Sequence, residues 1–257
     1  VSRRMQMPFI RTGASSLALR PDGTTTFSGL PGAVVWDLDG TLIDSAPDIC
    51  RALNLVLKVS GCEVLDVERV RTMIGNGVAK LVERGFRAAG RELGNAELED
   101  AVERFMLHYS ANPTAHTRLY PGVGETLEKL AAAGVKQGLC TNKPEAVTRL
   151  ILKQLEIDQY FLAVVGGDTT KARKPDAEPL RHCIETMGAA IGDTIMIGDS
   201  AVDAGSARAL QLPIGLVAHG YRDTDVASIG ADFLFDDVGS VPDALAAQLD
   251  YRRMLEC

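Results

Sequence analysis

The stretch Ala33-Val34-Val35-Trp36-Asp37-Leu38-Asp39-Gly40-Thr41 decides how this 257-residue chain is read. Its four leading apolar residues have the pattern of a strand buried on both faces, as parallel strands are. Two carboxylates and a glycine follow where such a strand would end. Outward from there the same run recurs at Gly138-Leu139-Cys140, Ala163-Val164-Val165, Ile195-Met196-Ile197, Ile214-Gly215-Leu216-Val217 and Phe233-Leu234-Phe235. Helical spacings fill the intervals. Leu127, Leu130 and Ala131 share one face; Val147, Leu150, Ile151 and Leu155 share another, after Pro144. A last helix is expected from Val241 to Leu249. Strands alternating with helices predict an α/β fold, a doubly wound and mainly parallel sheet with a Rossmann-like core.

One interval breaks the alternation. Between Ala46 and Leu119 the pattern is helical throughout: Ile49, Leu53, Val56 and Leu57, then Val78, Leu81, Val82 and Phe86, then Leu98, Val102, Phe105 and Tyr109. The expected organisation is a leader over residues 1–32, an α/β core over 33–45 and 118–257, and a helical cap over 46–117. The cap emerges at the carboxyl end of the first strand, where open α/β sheets bind ligands.

Composition limits the function classes. Thirty-four acids against 27 Lys and Arg give a formal charge of −7, the opposite of a nucleic-acid binder's balance. No apolar run approaches membrane-spanning length. Five cysteines, none in C-x-x-C spacing, suggest neither a disulfide framework nor a zinc ribbon, and favour a reducing compartment such as the cytoplasm. The leader carries Arg3, Arg4, Arg11 and Arg20 with no acid before Asp22. Pro8 and Arg11 interrupt its only candidate signal-peptide segment, so a loosely ordered extension is expected, with a turn at Asp22-Gly23.

Polar signals follow four of the strands: Asp37-Leu38-Asp39-Gly40-Thr41, Thr141-Asn142-Lys143 and Gly198-Asp199-Ser200-Ala201-Val202-Asp203 just after three of them, and Lys174-Pro175 in the loop beyond Ala163-Val164-Val165. Strand ends converge in such a sheet, so Asp37, Asp39, Thr141, Lys174, Asp199 and Asp203 should meet in one crevice. Phosphoryl transfer needs these residue types. A carboxylate at a rigid strand end (Asp37) can act as nucleophile and divide a hydrolysis into two steps. A second carboxyl two residues on (Asp39) can protonate the leaving alcohol and then activate water, with Gly40 letting the backbone turn. Crowded carboxylates require a cation. Mg²⁺ takes oxygen ligands, here Asp37, Asp199 and the Asp39 carbonyl. Lys174 and Thr141 suit the phosphoryl oxygens, and Asp203 would orient Lys174 or a metal-bound water. Four carboxylates against Lys174 and one Mg²⁺ leave a single net negative charge.

These residues, in this order, resemble the motifs of the haloacid dehalogenase-like superfamily, and specifically its phosphatases with a helical cap after the first strand. The likeness runs from about Ala33 to about Leu249. It implies Asp37 as nucleophile, Asp39 as general acid and base, Thr141 and Lys174 as phosphate binders, and Asp37, Asp39 and Asp199 around Mg²⁺. Ile74-Gly75-Asn76-Gly77-Val78, Leu139-Cys140-Thr141-Asn142-Lys143-Pro144 and His219-Gly220-Tyr221 are similar to segments of the phosphoglycolate phosphatase family. The implied reaction is hydrolysis of 2-phosphoglycolate to glycolate and phosphate. Asn142, Asn76 and Gly77 are then substrate contacts, with Gly40, Ser200 and Asp203 in support. Ala177 departs from the family, where a second proline is common. The implied partner is a small phosphate ester; the sequence marks no oligomer interface.

Other readings are open at this level. Sugar-phosphate, nucleotide and pyrophosphate phosphatases share the cap type. Dehalogenases and phosphonate hydrolases of this fold would not keep the second aspartate, and mutases usually follow a D-x-D-G-V-x-T-D pattern. A phospho-receiver module would need neither Asp39 nor a cap. A catalytically dead binding module would be expected to lack one of the aspartates.

Overall fold

The computed structural model describes residues 10–12, 15–17, 30–221 and 226–247. Near the start, β1 (Ile10–Thr12) pairs antiparallel with β2 (Ser15–Leu17). The turn expected at Asp22-Gly23 lies outside the described residues. The main sheet has six strands: β3 (Ala33–Trp36), β6 (Lys136–Cys140), β7 (Ala163–Val165), β8 (Thr194–Gly198), β9 (Ile214–Val217) and β10 (Phe233–Phe235). Their order is β10-β9-β8-β3-β6-β7, and every pairing is parallel. Each strand contains one of the apolar runs of the sequence.

Residue alternation sorts the central strand between two cores. Val34 and Trp36 face one, with Leu127, Val147 and Ile151 from α5 (Val123–Ala132) and α6 (Glu145–Gln154). Ala33 and Val35 face the other, with Leu180, Ile184 and Ala207 from α7 (Ala177–Thr186) and α8 (Ala201–Ala209). All four β3 residues are fully buried, as a sheet covered on both sides requires. The indole of Trp36 donates to Gln137 Oε1 at 3.2 Å, and Gln137 Nε2 donates to the Leu127 carbonyl at 2.8 Å, so this buried polar pair is satisfied. After a short α9 (Val226–Ile229), residues 241–247 are helical; the expected continuation to Leu249 falls outside the described residues.

The helical insert comprises α1 (Ala46–Val59), α2 (Val67–Arg71), α3 (Val78–Ala88) and α4 (Asn95–Ala111). Its apolar faces are those the periodicity marks: Ile49, Leu53, Val56 and Leu57 are buried, as are Leu81, Val82 and Phe86, and Phe105 and Tyr109. Leu98 and Val102 are only half-buried on the flank. At the neck the sequence reading is corrected. The chain leaves the core along β4 (Ile43–Asp44) and returns along β5 (Arg118–Leu119), and these two-residue strands pair antiparallel. Buried Asp48, in the first turn of α1, reinforces the crossing. Its Oδ2 accepts from the backbone N–H groups of His116 (2.8 Å) and Thr117 (2.7 Å) and from Thr117 Oγ1 (2.9 Å).

Among the described residues no helix is long and apolar enough to cross a membrane. Cys50, Cys62, Cys140 and Cys183 are free thiols.

Candidate active site

Strand register brings the predicted residues together. Trp36 lies level with Leu139 on one side and Ile197 on the other. Asp37, Thr141 and Asp199 therefore leave the same edge of three adjacent strands. The central strand is flanked by connections running in opposite directions, the switch point at which such sheets form a crevice. A cleft of about 640 Å³, counting its mouth, opens there between sheet edge and cap.

Asp37 and Asp199 are almost completely buried. Oxygens of Asp37, Asp199 and Asp203 lie within 4.8 Å of one another. Burial pushes the Asp37 carboxyl up to about 7, against the pull of Lys174 and with the push of Asp203 and Asp39. Burial, followed by repulsion from Asp203 and Asp37, holds Asp199 well above the ordinary carboxylate range. Lys174 Nζ lies 2.7 Å from Asp37 Oδ1 and 2.6 Å from Asp203 Oδ1. Burial alone would lower its pKa, but these two carboxylates outweigh that and raise it.

Asp203 acts as a positioning group. Its Oδ1 takes Lys174, while Oδ2 accepts from the backbone N–H of Asp199 (3.2 Å), that of Ser200 (3.1 Å) and the Ser200 hydroxyl (2.7 Å). Ser200 is accordingly the N-cap of α8. Asp203 is thus tied to Lys174 and the α8 N-terminus, while Asp37 and Asp199 complete the buried carboxylate cluster with it. The site suits a hard divalent ion: its donors are oxygens, and burial together with mutual repulsion makes a positive charge favourable there.

Gly40 has φ +84°, and a Cβ there would lie 2.5 Å from Asp199 Oδ2 and 3.0 Å from the Tyr221 nitrogen. Only glycine fits where the Asp37–Thr41 turn passes this carboxylate. Thr141, buried at the end of β6, accepts from the Lys143 N–H at 3.3 Å, which leaves its own hydroxyl hydrogen for a ligand in the cleft it lines.

In the cap loop the structure differs from expectation at Asn76. Gly75 and Gly77 line the cleft; Asn76 is half-buried and is not among the lining residues. Both glycines have positive φ, so the segment is a tight turn as well as a cleft wall. Asn142, expected on the substrate, lines the cleft and also directs its amide N–H₂ to the carbonyls of Gly75 and Lys174, both at 2.9 Å. It braces the cap loop against the Lys174 loop.

Three residues that the sequence reading gave no role belong to the site. Lys143 lies 3.0 Å from Asp39 Oδ2 and donates to the Tyr109 hydroxyl at 2.9 Å, so a second lysine joins Lys174 against the carboxylates. Tyr109 presents a buried hydroxyl from the apolar face of α4, and such a hydroxyl needs a partner. Tyr221 is more deeply tied in. Its backbone N–H donates to Asp199; its hydroxyl accepts from the N–H groups of Ser45 (2.7 Å) and Ala46 (3.0 Å) and donates to Asp44. Asp44 in turn pairs with Arg71 of α2 at 3.0 Å. Ser45 Oγ donates to Asp39 Oδ1. Of the three, Lys143 and Tyr221 stood in quoted motifs, and Tyr109 appeared only as an apolar helix position.

Sheet order, inserted helices and acidic cluster together define a hydrolase class. The chain belongs to the haloacid dehalogenase-like hydrolases, whose family model matches residues 34–217. Among its relatives are phosphoglycolate phosphatases. That of Rhodospirillum rubrum is 40% identical over 222 residues, covering 84% of this chain and 91% of the relative. That of Cereibacter sphaeroides is 41% identical over 216 residues, covering 84% and 98%. A solved structure described as a predicted phosphoglycolate phosphatase from Haemophilus somnus superposes with a TM-score of 0.79 at 30% identity, covering 85% of this chain and 98% of that one.

Proposed function

We propose that the protein is a Mg²⁺-dependent phosphatase that hydrolyses 2-phosphoglycolate to glycolate and phosphate through a phosphorylated Asp37. The mechanistic part rests on one observation above all. A buried strand-end carboxylate sits 2.7 Å from a buried lysine, with a second carboxylate two residues on that has separate partners. The substrate rests on the phosphoglycolate phosphatases that cover over nine-tenths of their own length at about 40% identity.

An Asp37 carboxylate oxygen attacks phosphorus, and the bond from phosphorus to the ester oxygen breaks. Asp39 gives a proton to that departing oxygen and takes one back from the water that attacks the acyl phosphate. The Lys174 ammonium and the Thr141 hydroxyl face the phosphoryl oxygens as negative charge builds on them. Asp203 keeps Lys174 in place. Mg²⁺, held by Asp37, Asp199 and the Asp39 carbonyl, would supply positive charge that lets a dianionic phosphoryl group enter a carboxylate-lined site. Asn142, Gly77 and the cap loop close the cleft around the leaving group, with Gly40 and Ser200 supporting the carboxylates.

The test is kcat/KM for phosphate release from 2-phosphoglycolate, sugar phosphates, nucleotides and pyrophosphate, with and without chelator. Preference for 2-phosphoglycolate that chelator abolishes is expected. Preference for another member of the panel would overturn the substrate and leave the reaction class standing.

A further inference from the structure

The two lysines that line the cleft stand at different reacting atoms. Lys174 Nζ is 2.7 Å from Asp37, on the phosphoryl side. Lys143 Nζ is 3.0 Å from Asp39, the group that meets the leaving oxygen. The Lys143 side chain is only 5% exposed, so it is no surface lysine that happens to reach inward. Two of its three N–H donors go to Asp39 and the Tyr109 hydroxyl, and the third remains for a ligand. Tyr109 also lies beneath the ammonium, its ring centroid 4.6 Å from Nζ, and stacks on Phe105 at 5.6 Å. The lysine belongs to the core, and the group that aims it belongs to α4 of the cap. The cap wall otherwise contributes apolar side chains to the cleft: Ile49, Ile74, Val78, Leu81 and Phe105. Arg173, beside the cap loop, is turned to the Gly167 carbonyl at 2.6 Å and does not line the cleft.

We infer that Lys143, aimed by Tyr109, is the specificity-determining cation that receives the substrate's second negative group, a carboxylate one methylene from the leaving oxygen. This rests on the phosphoglycolate reading and deepens it. The geometry favours a short substrate. A cation beside the acid that serves the leaving oxygen can meet only an anionic group close to that oxygen, and the apolar cap wall offers nothing polar to a longer chain. With Asp39 and Tyr109 holding two of its N–H groups, the third N–H of this buried ammonium is unpaired when the substrate lacks the carboxylate, which discriminates against such analogues.

The experiment compares kcat/KM for 2-phosphoglycolate with that for ethyl phosphate, which has the same chain length and no carboxylate, in wild type, Lys143→Met and Tyr109→Phe. Wild type should prefer 2-phosphoglycolate. In Lys143→Met that preference ratio should fall about 100-fold, largely through KM for 2-phosphoglycolate. In Tyr109→Phe, which keeps the ring and loses the hydroxyl, it should fall about 3- to 10-fold. A Lys143→Met enzyme that loses activity on both substrates equally, with its ratio intact, overturns the inference and leaves the substrate reading in place. A wild type without preference for 2-phosphoglycolate overturns the substrate reading and the inference with it. Should Lys143→Met fail to fold, Tyr109→Phe decides, and an unchanged ratio there overturns the assignment.

Discussion

Asp48 holds the two crossings between core and cap together, and its removal should be felt as stability. In Asp48→Ala the backbone N–H groups of His116 and Thr117 lose their acceptor. The single hydrogen of Thr117 Oγ1 has an alternative acceptor in the Pro113 carbonyl, 3.0 Å away, so the hydroxyl is not stranded. Each stranded N–H costs about 1–3 kcal/mol, and loss of an acid from the first turn of α1 adds about 0.3–1 kcal/mol. The total, about 2–7 kcal/mol, corresponds for a chain of this size to a fall in Tm of at least about 5 °C. A thermal melt followed by circular dichroism reads this directly. The pH dependence supplies a second check. Burial would raise the Asp48 pKa, but the hydrogen bonds from His116, Thr117 and Arg51 more than offset it and hold the carboxyl below its ordinary value. A depressed folded pKa contributes stability that is complete above the unfolded value and is lost as pH falls through the folded one. The gap in Tm between wild type and variant should be constant above about pH 5 and narrow below about pH 4. A Tm drop under about 2 °C, or a gap that widens in acid, would refute this reasoning.

Gly40→Ala should damage catalysis beyond its effect on folding. Its Cβ would strike Asp199 Oδ2, and a displacement of that order costs about 100-fold in kcat; a kcat within about threefold of wild type contradicts this. The metal site carries a pH signature. Asp37 and Asp199 are raised, so between the ordinary carboxylate range and about pH 7 the folded, metal-free protein binds more protons than the unfolded chain. Their contribution to stability therefore falls as pH rises. A divalent cation replaces those protons, so the Tm gain on adding Mg²⁺ should grow from about pH 5 to about pH 8. It should disappear in Asp199→Asn, and a pH-independent gain would count against Mg²⁺ at these carboxylates.

The sheet was readable because β3, β8 and β9 are covered on both faces and so, Thr194 aside, consist of apolar residues. The convergence of Asp37, Thr141 and Asp199 followed from the rule that strand ends share an edge, and the register of Trp36 with Leu139 and Ile197 places them there; Lys174 reaches the same edge from the loop after β7, 2.7 Å from Asp37. Pairs created by folding were less accessible. β4 and β5 are two residues each, too short for any period to register. Lys143 gains its place only when Tyr109 arrives from a helix more than thirty positions earlier in the chain. The earlier charge count at the site set Lys174 alone against four carboxylates; Lys143 removes the remaining negative charge once a divalent ion is included. Asn142 sits beside Thr141 in sequence, yet its amide points to Gly75 and the Lys174 carbonyl, and adjacency along the chain says nothing about such a turn.

The proposed reaction is covalent, with Asp37 carrying the phosphoryl group between the two half-reactions. The direct measurement is rapid acid quench of the enzyme turning over 2-phosphoglycolate with Mg²⁺, followed by mass spectrometry of the intact chain and its peptides. A fraction bearing one phosphoryl group, localised to the peptide that contains Asp37 and absent from Asp37→Asn, is predicted. A phosphoryl group on any other residue, or an Asp37→Asn protein that releases phosphate at the wild-type rate, would contradict the account.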